Sequence, residues 1–456
     1  MDQAVTKKAW MVGLILLAMI SEAALWTYLN IFHGPISLLR FVGQAGDFLG
    51  LFGLLSFMVM VALGTRFQWI EHSIGLDKVY RFHKIFGIAL FFILFGHAFL
   101  RTLAFSMRHG GVWAWSFLFY FSTRNVALFL GHTALYLLIL LVPLAIWGRH
   151  RISFWFWKNS HFLVYPVVTI GFIHAWLEQG KQFASFSNLA LFIPAAAVLI
   201  FLSLNRLING LRLKQHATWK VAVVRKETYD TATLVLERPE GPGPFGQRRA
   251  GQFAIVRVRD GKKWSEPHPF TISAPPHSDE LHFTIKAAGR FTSAIPYLVP
   301  GTEVLCEGPY GIFSMDFLKE HKIVMISGGV GITPFLSSIR HAAKTGVSTS
   351  ITLFCCNKTL DDIIAWEELI LATGKLNLRI VHVLSKVRNE DLPAGIGSIT
   401  YKSGHLTPEM ISEYVPSGDA SFYLCGPPAM QSGTLKALKK ALGVPAWKVK
   451  RETFFY

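Results

Sequence analysis

Two apolar stretches of this 456-residue chain each carry a pair of histidines. In residues 80–104, YRFHKIFGIALFFILFGHAFLRTLA, His83 and His97 are fourteen residues apart. On a helix that spacing is about 21 Å along the axis, and fourteen steps of about 100° return both rings to one face. In HFLVYPVVTIGFIH, His161 and His174 are thirteen residues apart. Imidazole is a common metal ligand, and an ionisable or ligating side chain inside a membrane span marks a functional site. Two pairs matched in depth suit two b-type haems, each clamped axially from two helices, His83 with His161 and His97 with His174. The fit has one difficulty. Thirteen ideal steps rotate about 220° and would not leave His161 and His174 on one face. Pro166 lies between them and removes a helix hydrogen bond, so the spacing predicts a kink or a π-like bulge there.

A second chemistry is written in the other half. A flavin needs a stacking face, a hydrogen bond near N5 and a neutralised pyrophosphate. His268-Pro269-Phe270-Thr271-Ile272-Ser273 offers a ring, a hydroxyl and backbone donors at a strand end. Gly289-Arg290-Phe291-Thr292 offers a glycine, free N–H groups, an arginine and a hydroxyl at a helix start, which suits a diphosphate. The buried run KIVMIS leads into Gly328-Gly329-Val330-Gly331-Ile332-Thr333-Pro334. Its glycines allow close phosphate approach, and Pro334 fits a first helical turn. Lys358, at the end of ITLFCCNKT, stands where an adenosine 2′-phosphate would lie and favours NADPH over NADH. In SFYLCGPPAM, Cys425 and Gly426 would face the nicotinamide, although a buried structural role is the default for an isolated thiol.

These groups need a membrane bundle and a soluble reductase to hold them. Fifty-two percent of the chain is hydrophobic and its mean hydropathy is +0.38, too apolar for an ordinary soluble protein. Nearly all long apolar runs lie before residue 210. Six spans are predicted, at 10–30, 43–64, 82–104, 125–147, 153–177 and 188–208. With the N-terminus inside, the inner segments hold twelve Lys and Arg residues and the outer segments five. That bias places the N-terminus and everything after the sixth span in the cytoplasm. The formal charge of +17 then reflects inner-face cations and anionic lipid, and no nucleic-acid motif accompanies it. The four cysteines form no C-x-x-C, which excludes a zinc pair and a covalent haem attachment. His132, His33 and His109 read as structural or solvated. Arg81, Arg101 and Arg151 are placed either to pair with haem propionates or to snorkel. Phe91, Phe92 and Phe95 fall between the two histidine levels.

After a basic connector, WKVAVVRKE, TATLVLERP, QFAIVRVRD, HFTIKAA and TEVLCEGP alternate like the strands of a small antiparallel β-barrel. From about residue 318 the pattern becomes strand–helix–strand, as in a parallel nucleotide-binding sheet. Expected domains are therefore 1–215, a six-helix all-α di-haem membrane bundle, 216–317, an FAD-binding β-barrel, and 318–456, an α/β NAD(P)H-binding domain.

Taken together, LDKVYRFHKIFG with the four histidines, then HPFTIS, GRFT, GPYG at 308–311, GGVGITP and CGPP in that order, resemble the ferric reductase and NADPH oxidase superfamily over nearly the whole chain. The second half is similar to ferredoxin–NADP reductase. The resemblance implies that His268, Phe270 and Thr271 contact FAD, with Thr292 and its neighbours on the pyrophosphate. It implies that Gly328–Thr333 and Cys425–Pro427 bind NAD(P)H, and that a chain-terminal aromatic stacks on the flavin until nicotinamide displaces it. Aligning Glu452 nominates Phe454 for that ring, although Phe455 and Tyr456 follow it. Thr271, Cys425 and Phe454 are the expected catalytic residues. The implied activity is transmembrane electron transfer from cytoplasmic NADPH (or NADH) through FAD and two haems to an outer-face acceptor. Oxygen, giving superoxide, is the first reading of that acceptor. Ferric iron, or a protein partner or quinone served by an electron carrier, is the alternative.

Overall fold

A computed structural model describes residues 37–64, 75–109, 125–148, 151–179, 186–212, 218–238, 240–315, 317 and 319–452. The expected first span at 10–30, most of the outer segment 105–124, and Phe454 lie outside the described residues. The chain divides into two compact units, Met1–Lys214 and Gln215–Tyr456.

In the first unit the described helices are α1 (Leu38–Gly64), α2 (Leu76–Arg108), α3 (Val126–Trp147), α4 (Phe154–His161), α5 (Val164–Gln179) and α6 (Phe186–Arg212). Among the described residues, four segments are long and apolar enough to cross a membrane: Leu38–Gly64, Lys78–Arg108, Val126–Trp147, and Phe154–Glu178 taken through its break. In α6 the apolar stretch is shorter, Ala195–Asn205. One face of α1 carries Gly43, Gly46, Gly50 and Gly53, at alternating steps of three and four, and this small-residue stripe lets α2 approach closely. Leu54, Phe57, Val61, Leu90, Leu138, Val167 and Val168 form the core of the unit.

The fifth span is broken rather than bulged. α4 stops at His161 and α5 starts at Val164. Pro166 has no N–H to give the Phe162 carbonyl, and its ring crowds that carbonyl. The turn tightens instead: Leu163 N–H bonds Ser160 at 3.1 Å, and Tyr165 N–H bonds Phe162 at 3.1 Å. These are three-residue steps of the 3₁₀ kind. Helical bonding resumes with Val167 N–H to Leu163 O at 3.1 Å.

The second unit begins with an antiparallel sheet of β1 (Thr218–Lys226), β2 (Thr231–Glu237), β3 (Phe253–Asp260), β4 (Lys263–Trp264), β5 (His268–Thr271), β6 (Leu281–Lys286) and β7 (Glu303–Tyr310). Its order is β4-β3-β7-β1-β2-β6, with β5 also on β3. Among the described residues no ladder joins β5 to β6. Just past β5, Ser273 links the two edges, its N–H bonding the His282 carbonyl at 2.8 Å and its hydroxyl donating to the same carbonyl at 3.1 Å. Inward residues Trp219, Leu234, Val256, Ile272 and Phe283 fill its core.

The parallel sheet follows: β8 (Lys322–Gly328), β9 (Ser350–Asn357), β10 (Leu378–Leu384), β11 (Ile399–Ser403), β12 (Ser421–Cys425) and β13 (Val449–Glu452). Its order is β11-β10-β9-β8-β12-β13. β8 is buried along six of its seven residues, as a strand covered on both faces must be. Helices α7 (Arg290–Ala294), α8 (Thr333–Thr345), α9 (Trp366–Thr373), α10 (Pro408–Tyr414) and α11 (Pro428–Leu442) complete the described residues. The strand order reverses between β8 and β12, and open α/β sheets bind ligands at the carboxyl ends of strands at such a switch point. GGVGITP follows β8 and CGPP follows β12, so both motifs sit there.

Candidate functional site

In the membrane unit the four histidines meet as two pairs. The His83 and His161 ring centroids are 6.2 Å apart with planes at 61°. Those of His97 and His174 are 6.3 Å apart at 64°. The break after His161 is what lets thirteen residues match the fourteen of α2.

The second pair sits in two closely similar seats. His97 Nδ1 lies 2.7 Å from the Gly46 carbonyl, and His174 Nδ1 lies 2.7 Å from the Ala127 carbonyl. Four residues past each carbonyl is a glycine. A Cβ on Gly50 would stand 2.6 Å from His97 Nδ1, and one on Gly131 would stand 2.8 Å from His174 Nδ1. A carbonyl at Nδ1 favours the tautomer with the proton on Nδ1 and leaves Nε2 with a lone pair able to ligate. A cavity of about 440 Å³ opens beside these rings, lined by Gln44, Asp47, Arg101, His132 and Glu178 among others. Arg101 pairs with Asp47 at 3.0 Å. At the other pair, Trp157 stacks on His161, 5.6 Å between centroids and 9° between planes. Its Nε1–H donates to the Ala145 carbonyl at 3.2 Å, tying α4 to α3. The glycine seats are absent from the sequence reading. The spacings Gly46–Gly50 and Ala127–Gly131 were visible, but not which helix faces each histidine.

In the second unit HPFTIS and GRFT come together. The His268 and Phe291 rings stack at 4.0 Å and 17°, and Phe270 lies near-parallel to Phe291 at 6.1 Å and 12°. Burial lowers the His268 pKa below its ordinary value and favours neutral imidazole. Pro269 is exposed and Thr271 buried. Ile272 enters the core, and Ser273 Oγ donates to the His282 carbonyl at 3.1 Å, so these two face structural neighbours. The Thr292 hydroxyl accepts the N–H groups of Ala288 at 2.8 Å and Gly289 at 2.9 Å. It therefore caps α7 with donors that the sequence offered to a phosphate. Arg290 is exposed on the same turn.

The two glycine motifs interlock through their backbones. A Cβ on Gly331 would run into the Cys425 carbonyl, and one on Gly426 would stand 3.0 Å from the Gly328 nitrogen. Gly329 and Gly426 have φ of +53° and +156°, which side-chain-bearing residues rarely adopt. Ile332 and Thr333 are buried where α8 begins. The Cys425 thiol is fully buried in the sheet core. Burial, with Glu452 adding to it, holds its pKa far above the ordinary thiol value, so it is a neutral group. A cavity of about 680 Å³ runs from this junction, lined by Gly328, Gly329, Val330, Lys358, Ser385, His405 and Pro427 among others. Asp230 and Lys286 border it from the antiparallel sheet and pair at 2.9 Å. Ser385 and His405 escaped the sequence reading, because only the sheet order brings the ends of β10 and β11 beside Lys358.

An apolar helical unit, a flavin-type antiparallel sheet and a dinucleotide-type parallel sheet define a membrane NAD(P)H-dependent flavin oxidoreductase. Family comparison agrees over three consecutive regions. Residues 49–172 match the ferric reductase like transmembrane component, 215–314 an FAD-binding domain, and 325–436 an oxidoreductase NAD-binding domain. The chain thus has the ferric reductase/NADPH oxidase-like architecture. It is similar to the reductase component of propane 2-monooxygenase from Mycolicibacterium goodii, with 28% identity over 255 residues, 55% of this chain and 70% of that one. It is also 28% identical over 266 residues to NADH-cytochrome b5 reductase 2 of Mycosarcoma maydis, covering 53% and 73%. Among solved structures, an Amycolatopsis cytochrome P450 reductase matches 52% of this chain and 69% of its own at 25% identity and a TM-score of 0.43.

Proposed function

We propose that this chain carries electrons from NADPH (or NADH) through FAD and two b-type haems to an acceptor on the outer face. The observation that carries this reading is the pair of histidine clamps. Two imidazoles that faced one metal from opposite sides, with nitrogens at about 2 Å each, would have ring centroids a little over ~6 Å apart. The measured separations are 6.2 and 6.3 Å. Glycines beneath His97 and His174, where a Cβ would collide, fit the same use. His83 with His161 would hold the inner haem, and His97 with His174 the outer.

When bound, FAD accepts hydride and passes on single electrons, and the haems relay them across the membrane. The chain's own residues supply placement. His268, Phe270 and Phe291 offer parallel rings to the flavin, and Thr271 stands beside them for a hydrogen bond. Gly289 to Thr292 would meet the pyrophosphate with backbone and the Arg290 cation. Gly328 to Thr333 and Cys425 to Pro427 would shape the dinucleotide cradle, with Lys358 at the 2′-phosphate. Cys425 contributes packing and a neutral thiol there, and Phe454 would cover the flavin. The Lys/Arg bias supports a cytoplasmic reductase, and the change from apolar runs to alternating strands and then to strand–helix–strand supports domains at 1–215, 216–317 and 318–456.

For the acceptor we retain oxygen, reduced by one electron to superoxide. The transmembrane family match supports ferric iron as the second reading. Purified full-length protein with NADPH tests both. Cytochrome c reduction that superoxide dismutase abolishes supports the oxidase, and turnover only with ferric chelates supports the reductase. A reduced-minus-oxidised spectrum without b-type bands would overturn the haem assignment. In a His97→Leu variant, output to the outer acceptor is expected to vanish while NADPH still bleaches the flavin.

A further inference from the structure

We propose that Arg340 is a positioning residue for hydride transfer, riveting the helix that starts at the dinucleotide loop to the strand that carries the flavin motif. The inference rests on the functional reading above. α8 emerges from the Gly328–Ile332 loop, and one face of it reaches the end of HPFTIS at two successive carbonyls. Ser337 Oγ–H donates to the Ala274 carbonyl at 2.8 Å. One turn on, an Arg340 terminal N–H donates to the Ser273 carbonyl at 2.7 Å. These carbonyls lie just past β5, beyond the last paired residue of its ladder with β3, Thr271. Both lobes belong to one compact unit.

The guanidinium is itself fixed. Its Nε–H and second terminal N–H donate to the two Glu368 oxygens, at 2.6 Å each. Such a bidentate fork sets orientation as well as distance. Glu368 stands on α9, and α9 is anchored independently. Its first turn begins at Ala365, a non-glycine residue with φ of +54°, a conformation that side chains disfavour. Ala365 N–H donates across to Glu227 Oε2 at 3.3 Å, while Thr233 O–H holds Glu227 Oε1 at 2.7 Å. Glu227 follows β1 in the antiparallel lobe. α9 is thus pinned to that lobe at its start and to Arg340 in its middle. Arg340, Glu368, Ala365 and Glu227 close a ring of contacts around the junction, and the spacing of the two cofactor motifs follows from it. Lysine cannot replace the arginine, because one ammonium cannot span a carboxylate and a carbonyl in a fixed fork.

The test is rapid mixing of FAD-loaded full-length protein with NADPH, comparing wild type, Arg340→Leu, Arg340→Lys and Glu368→Gln. Flavin content, NADPH affinity and the isotope effect from NADPH deuterated at the transferred position are read together. Misplacement by about 1 Å costs on the order of a hundredfold in rate. Arg340→Leu and Arg340→Lys are expected to slow hydride transfer roughly ten- to a hundredfold. FAD content should be unchanged and NADPH affinity should stay within about threefold. Glu368→Gln, which retains one neutral acceptor oxygen for the fork, should lose less than either. Wild-type hydride transfer in Arg340→Leu overturns the proposal, as does a rate loss explained by lost FAD. Failure of NADPH to reduce the wild-type flavin overturns the functional reading and this inference together.

Discussion

Gly50 lies directly under the His97 ring: a Cβ built there would stand 2.6 Å from Nδ1, closer than real side chains pack. At Gly64, under His83, the nearest ring atom would be 3.7 Å away, an ordinary contact. The two alanine substitutions should therefore differ. Gly50→Ala must push the ring off its seat, at about 1–3 kcal/mol for an overpacked site. If each histidine pair holds a haem, as proposed, the haem-to-FAD ratio of the purified protein should drop from two toward one. Gly131→Ala, with 2.8 Å to His174 Nδ1, should do the same, and Gly64→Ala should keep both haems. Full haem content in Gly50→Ala would show that the glycine is not a seat.

Lys358 lines the same cavity as Ser385 and His405. If this rim takes the 2′-phosphate, Lys358→Ala removes one charge-assisted contact worth about 1.5–3 kcal/mol. The KM for NADPH should then rise roughly ten- to a hundredfold, and that for NADH should barely change. Parallel steady-state titrations decide the matter. An equal shift for both nucleotides would assign Lys358 to something other than the phosphate.

His382 is fully buried in the parallel sheet. It stacks on Tyr401 at 5.5 Å and packs on Trp366 at 5.2 Å. Neither ring nitrogen has a hydrogen-bond partner, and burial pushes its pKa down to about 4. The sign follows from which state holds the proton. Between the unfolded value of about 6.5 and the folded value of about 4, only the unfolded chain is protonated. Stability from this residue is intact above pH 6.5 and declines as pH falls, by at most about 1.4 kcal/mol per unit. Thermal unfolding followed by flavin release should therefore weaken with acid, and His382→Phe should flatten part of that slope between pH 6 and 4.5. An unchanged slope would mean that other buried histidines account for it.

Spacing alone made the four histidines legible, because depth in a membrane is nearly a count of residues. α2 follows an ideal helix, and Pro166 announced that the fifth span would not. The form of that departure, a two-residue break rather than a bulge, depends on how Phe162 and Leu163 find new partners, which is a packing outcome. The strands of the second unit were legible by their period of two or their continuous burial. The glycine seats, Arg340 and His405 were not. Each acts on a residue distant in sequence, and one chain without its pairings does not say which element lies opposite. Thr292 was legible as a helix-start hydroxyl, but its use on its own backbone appears only in the geometry.

The break at Phe162–Leu163 also makes the two histidine pairs mechanically unequal. On one side a single uninterrupted rod, α2, bears both His83 and His97, so their separation is fixed. On the other side His161 ends α4 and His174 rides on α5, with a tightened 3₁₀-type turn between them. The His161 ring therefore takes its position from the tie of Trp157 Nε1–H to the Ala145 carbonyl, and the His174 ring from its seat over Gly131. One partner of each pair shares a single rod, and the other two partners are placed by separate anchors.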